Sequence, residues 1–209
     1  METATRRPRH VQAPRRGDER RRLLLAALED LLATKPLAAI GISDITEAAG
    51  VTRSGFYFYF SSKAAAVAAL LEDFREQMEL AGSAWYDADD ASPRERVTET
   101  VHASVALWRA HAPLLVAMLD AASSDPEARE IWASWSAGFV ERISTRIGVD
   151  RKAGLVHTSA DPGALAVVLM GATLHAMEHD VRRTATGKRA DAKLGDALID
   201  LWYRTLYAG

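Results

Sequence analysis

Residues 42–71 read ISDITEAAGVTRSGFYFYFSSKAAAVAALL, two short helices joined by a sharp turn and followed by the start of a longer helix. Ser43 stands where a helix N-cap belongs, and Ile42, Ile45, Ala48 and Ala49 then recur at helical spacing. Gly50 ends that helix, because glycine takes positive φ without steric cost. Thr52 caps a second short helix. Phe56 and Phe60 lie four residues apart on one face of it and read as core. Thr52, Arg53 and Ser54 lie at its N-terminus, where the helix dipole favours phosphate. Tyr57 points the other way and offers its hydroxyl, and Phe58 joins it as a candidate base-reading side chain. Ser61 or Ser62 caps the next helix, leaving Lys63 in its first turn, free to reach a DNA backbone. Small residues at 48 and 49 let the two short helices approach at a steep angle. That is a helix-turn-helix, whose second helix enters a major groove.

The combined pattern of Ile45, Ala48, Gly50, Val51, Phe56, Tyr57, Tyr59, Phe60 and Lys63 resembles the DNA-binding domain of the TetR family of bacterial repressors. The run FYFYFSSK is similar to that of the mycobacterial EthR-like members. Gly55 departs from the pattern: the family often places a phosphate-contacting threonine there, and glycine weakens the helix locally.

Composition fits such a protein. The chain has 209 residues, 48% hydrophobic content and no cysteine, which excludes disulfides and thiolate metal sites and suits a reducing cytoplasm. The net charge of −2 hides a division: residues 1–63 carry 11 Lys/Arg against 7 Asp/Glu, and the remainder 15 against 21. A basic head on an acidic body suits a head that meets a polyanion. The longest apolar run, residues 163–174, falls short of the roughly 20 residues that span a bilayer, so no membrane partner is expected.

An all-α chain of about nine helices is predicted. Residues 1–17, with five arginines, read as a disordered basic arm that follows DNA or is merely solvated. Residues 18–64 form the head and 65–209 the helical body. A first helix over about 18–34 buries Leu24, Ala27, Leu28 and Leu31; Arg20, Arg21 and Arg22 near its start oppose the dipole and call for partners. A fourth helix over about 62–85 links head to body. Cap-plus-proline signatures at Ser92-Pro93, Asp125-Pro126 and Asp161-Pro162 open three further helices, with another restarting at Pro113. The second of the three ends near Ile147, before a loop over 148–160, and a last helix spans about 190–207.

In the body, Trp132, Trp135 and Phe139 share one helix face, and Met170, Thr173 and Met177 another. With Trp108, Met118 and Trp202 they are the candidate lining of an apolar ligand cavity, although aromatic stripes at this spacing also simply fill cores. The family resemblance implies an effector-binding body. In EthR-like members this is a long aromatic-lined tunnel, with Trp108, Trp132, Phe139, Met170, Thr173 and Trp202 along it. It also implies a homodimer through the last two helices, where Leu165, Val168, Leu169, Leu194, Leu198, Leu201 and Leu206 serve core, interface or both. His175 and His179, four apart with Glu178 between, form a possible zinc pair lacking a third ligand and the HExxH order of hydrolytic sites.

The resulting expectation is a cytoplasmic, dimeric repressor without catalytic residues, metal or cofactor. It binds double-stranded operator DNA and is released by a small hydrophobic ligand. The alternatives are an activator or architectural DNA binder without an effector, and a helical metalloenzyme built on His175, Glu178 and His179.

Overall fold

The computed structural model describes residues 16–87 and 91–208. Of the expected basic arm over 1–17, residues 1–15 lie outside the described residues, and Arg16 and Gly17 belong instead to the first turn of α1. Within them the chain is all-α, with nine α-helices. In order these are α1 (Arg16–Leu32), α2 (Ile42–Ala49), α3 (Arg53–Tyr59), α4 (Lys63–Tyr86), α5 (Pro93–Ala110), α6 (Ala112–Ser124), α7 (Pro126–Lys152), α8 (Pro162–Ala185) and α9 (Leu194–Leu206), with a 3₁₀ turn, Leu37–Ala39, between α1 and α2.

The head is α1 to α3 packed on the start of α4. Leu24, Leu28, Ile40, Ile45, Phe56, Phe60 and Val67 make its core. Leu31 is only half-buried and Leu32 takes the buried place instead. Gly50 adopts φ 64° and ends α2 as expected. Ser43, however, is not the cap of α2. The cap position falls two residues earlier, at Gly41, and the Asp44 carboxylate accepts the Gly41 N–H at 2.8 Å, a cap made from inside the first turn. Ala48 is exposed, so Ile45 and Thr46 supply the buried side of this helix.

The remaining caps fall where the residue chemistry puts them. Ser62, Ser92, Asp125 and Asp161 each accept a backbone N–H from the first turn of α4, α5, α7 and α8. Helix α4 then runs unbroken from the head into the body, where it packs on α5 and α7, while α8 packs on α7 and α6 and α9 on α5. Helices α5 and α6 meet at 80°, with Pro113 in the first turn of α6.

Two boundaries differ from expectation for tertiary reasons. Helix α7 continues past Gly148 to Lys152 because Asp150, in its last turn, is held by Arg146 and by the Tyr207 hydroxyl. Helix α9 begins at Leu194 rather than near residue 190. The Asp191 N–H donates to Asp180 and its carbonyl accepts from Arg109, which keeps that stretch out of the helix. Among the described residues no single helix is long and apolar enough to cross a membrane.

Candidate functional site

The head presents α3 outward. Its N-cap Thr52 accepts the Gly55 N–H at 3.1 Å and lies 3.1 Å from the Ser54 hydroxyl. Gly55 is required by close packing: a Cβ there would come within 2.7 Å of Val51 Cγ1. Phe56 and Phe60 are buried, which turns the other side of the helix to solvent. Thr52, Arg53, Ser54, Tyr57 and Phe58 are all exposed, Phe58 to 81%. The Arg53 guanidinium lies 5.8 Å from the centre of the Tyr57 ring. Two exposed aromatic rings, Tyr57 and Phe58, on one short helix that begins with Arg53 and two hydroxyls suit a surface that another molecule covers.

Lys63 departs from expectation. Its ammonium donates to the carbonyls of Leu37 and Ile40, at 2.6 and 2.7 Å. The lysine therefore fastens the turn before α2 onto α4, and two of its three N–H donors are committed. Burial lowers its pKa, a shift that the nearby Asp44 carboxylate only partly opposes. Of the arginines near the start of α1, Arg22 pairs with Glu19 and Arg21 lies over the Phe60 ring.

The body holds an internal cavity of about 70 Å³ between α4, α5, α7, α8 and α9. Six of the candidate lining residues face it: Trp108, Phe139, Met170, Thr173, Met177 and Trp202. Three do not. Met118 is fully buried in the core of α6, away from the cavity wall. Trp132 stacks on Trp135 at 4.7 Å with the planes 13° apart, and Trp135 in turn stacks on Phe74 of α4. These rings brace α7 against α4 instead of facing a ligand space. Trp135 and Phe139 also line a separate, more open groove of about 490 Å³ between α4 and α7, edged by Glu72, Arg75 and Glu130.

Sequence reasoning missed the α4 wall and, on α5, everything but Trp108. Met78, Gly82, Trp85 and Tyr86 come from α4, and Thr100 and Ser104 from α5. The available signal was Gly82 one turn before Tyr86: a Cβ there would approach the Tyr86 ring to 2.4 Å, so the glycine makes room for the ring.

Two indoles of the cavity wall are tied into the surrounding fold by hydrogen bonds. Trp202 Nε1 donates to Thr173 Oγ1 at 2.9 Å, and Thr173 donates to the Leu169 carbonyl. Trp85 Nε1 donates to the Tyr207 oxygen at 3.0 Å, and Tyr207 donates to Asp150 at 2.5 Å. Asp150 also pairs with Arg146 at 2.8 Å and Arg96 at 3.5 Å. Burial, reinforced by the Asp150 carboxylate, pushes the Tyr207 phenol up, so it stays a donor at any ordinary pH. Tyr86 is pushed up to about 12 by burial, against the pull of Arg142 stacked on its ring at 4.3 Å.

Exposed Val167, Val168 and Leu201 leave an apolar strip on α8 and α9. Leu169, Leu198 and Leu206 turn inward, and Leu165 and Leu194 sit between. His175 and His179 are exposed, and Glu178 accepts from Arg182. Among the described residues no three His, Asp or Glu side chains converge as a metal site.

A helix-turn-helix head continuous with a cavity-bearing helical body defines a DNA-binding transcriptional regulator of the two-part kind. Residues 24–70 match the model of bacterial regulatory proteins of the tetR family, and residues 97–208 that of the C-terminal domain of the transcriptional regulator EthR. The chain belongs to the TetR family, with an EthR-type body. It is 26% identical over 211 residues to the HTH-type transcriptional regulator EthR of Mycolicibacterium smegmatis, covering 97% of this chain and 94% of that one. To EthR of Mycobacterium tuberculosis it is 26% identical over 196 residues, 91% and 88% of the two chains. Among solved structures, a TetR-family transcriptional regulator of Syntrophomonas wolfei superposes with a TM-score of 0.74 at 20% identity, over 90% of this chain and 95% of that one. NalD, the secondary repressor of the MexAB-OprM multidrug efflux pump in Pseudomonas aeruginosa, does so with 0.72 at 20%, over 91% and 98%. At these identities the superpositions speak for the fold alone.

Proposed function

We propose that the chain is a dimeric repressor, acting in the cytoplasm, that a small hydrophobic ligand releases from operator DNA. Residues 18–64 form the reading head and 65–209 the effector and dimer body. Thr52, Arg53, Ser54, Tyr57 and Phe58 meet the groove, and the third donor of Lys63 is left for a phosphate. The function requires no catalytic group.

The observation that carries this reading is the continuity of α4. Its first residues are capped at the head by Ser62, and its last three turns supply Met78, Gly82, Trp85 and Tyr86 to the cavity. The helix has 24 residues, about 36 Å of rigid rod. A ligand that widens the cavity tilts this rod, and with it the separation of two heads in a dimer. Operator half-sites lie a fixed helical turn apart, so such a tilt weakens DNA binding. By linkage, operator DNA must weaken ligand binding by the same factor. The cavity also favours this reading over an activator or architectural binder without an effector.

The test is a footprint of the purified protein on the DNA upstream of its own gene, repeated at rising salt. A discrete, near-palindromic protected site with a steep salt slope is expected. Absence of binding at low salt, in protein first stripped of any bound small molecule, would remove the DNA-reading role assigned to α3.

A further inference from the structure

The cavity wall contains a fully buried hydroxyl without a partner. Thr100 Oγ1 is buried and makes no hydrogen bond. Other helical threonines turn their hydroxyls back onto their own helix: Thr98 donates to the Arg94 carbonyl at 2.7 Å, Thr145 to Glu141 at 3.0 Å and Thr173 to Leu169 at 2.8 Å. Thr100, on the same helix as Thr98, does not. It faces a lining that is otherwise methionine, aliphatic and aromatic, with Ser104 one turn further along the same wall. Three polar groups of the wall are already occupied: Trp85 Nε1 is held by Tyr207, and Trp202 Nε1 and the Thr173 hydroxyl by each other and Leu169. No Asp, Glu, Lys, Arg or His lines the cavity.

We infer that Thr100 is the polar anchor of the ligand site, and that the ligand is an uncharged, apolar-bodied molecule whose one hydrogen-bonding group, a carbonyl, ether or hydroxyl, pairs with it. The inference rests on reading the cavity as the effector site. A charged ligand group would be buried against a wall with no counter-charge, at prohibitive cost. A wholly apolar ligand would leave the hydroxyl unsatisfied. A threonine hydroxyl both donates and accepts, so it admits either polarity of partner. The cavity of about 70 Å³ is small for a drug-sized molecule. Met78, Met170 and Met177 in its wall are flexible enough to make room.

The test uses two probes of matched shape, cyclohexanone and methylenecyclohexane, titrated into the full-length protein and read by tryptophan fluorescence. Trp85, Trp108 and Trp202 report from the cavity wall. The quantity of interest is the ratio of the two dissociation constants, in which the cost of leaving water cancels between variants. Thr100→Val keeps the shape and removes the hydroxyl. It is expected to shift the ratio against the ketone by about tenfold, whereas Thr100→Ser leaves it near the wild-type value. Thr100→Ala serves as a second hydroxyl-free variant if Thr100→Val folds poorly. A ratio unchanged within about twofold in the hydroxyl-free variants overturns the inference and means that water, or nothing, pairs with Thr100. Failure of cyclohexanone to bind the wild type overturns it as well. DNA release is read separately, on the footprinted fragment. A shifted ratio with no effect on DNA supports the anchor while sinking the effector reading.

Discussion

Position 55 has no space for a side chain. Helix interiors ordinarily gain from replacing glycine by alanine, by about 1 kcal/mol. Here the new methyl would press on Val51 Cγ1, a stiff β-branched neighbour that cannot swing aside. Gly55→Ala is therefore expected to lower stability by about 1–3 kcal/mol. Adding Val51→Ala should restore most of the loss, a coupling that a thermal-unfolding double-mutant cycle would measure. Additive losses would show that the two side chains do not meet. Lys63 supports the same head from the other side. Lys63→Met keeps the stem and removes both bonds to the Leu37 and Ile40 carbonyls. A stability loss of about 1–3 kcal/mol is expected, with weaker operator binding following from it. Weaker binding at unchanged stability would instead return Lys63 to the phosphate role that its place in the sequence first gave it.

At the scale of elements, Asp180 of α8 ties three parts of the body. It accepts from Arg109 of α5 and from the Asp191 N–H ahead of α9, each at 2.7 Å. Burial raises its pKa, but these two bonds and the Arg109 charge outweigh it and hold the carboxyl below its ordinary 3.8. Because the folded value is the lower one, the tie is at full strength above the unfolded pKa and is lost as pH falls through the folded value. Asp180→Asn is expected to cost about 1–2 kcal/mol near neutral pH, and less in acid. Urea unfolding at neutral pH and at about pH 3 would reveal this; a gap that does not narrow in acid would deny the tie.

The same element explains what a reader of the sequence can and cannot see. The caps at Ser62, Ser92, Asp125 and Asp161 depend on neighbours three residues away, and each was legible. So was the outward side of α3, fixed by Phe56 and Phe60. The start of α9 was not legible, because what holds Asp191 out of the helix lies on α5 and α8. Asp150 extends α7 through partners equally remote in the chain. In the cavity the face shared by Trp132, Trp135 and Phe139 was correctly drawn. Only contact with Phe74 decides that its first two rings brace the core, and periodicity carries no information about what a face meets.

For the molecule as a whole, exposed Val167, Val168 and Leu201 are the surface on which the proposed dimer would form. Charges placed there should separate two copies without touching the core. Val168→Asp combined with Leu201→Glu is expected to sediment as a monomer and to lose at least tenfold in operator affinity, since only one half-site is then held. A dimer that survives both substitutions would move the interface off α8 and α9.

Phe139 belongs to two walls at once, that of the inner cavity and that of the solvent-facing groove beside α4 and α7. One ring is thus the partition between them, and a partition governs residence time more than affinity. On the proposed effector reading, entry and exit through this wall would be timed by the rotation of that side chain. Phe139→Leu, a thinner partition, is expected to shorten the dwell of cyclohexanone several-fold in stopped-flow displacement with a smaller change in Kd. An unaltered dwell time would put the doorway elsewhere. With the ring as the door, the promptness with which the proposed repressor would answer a ligand becomes separable from the concentration at which it would answer.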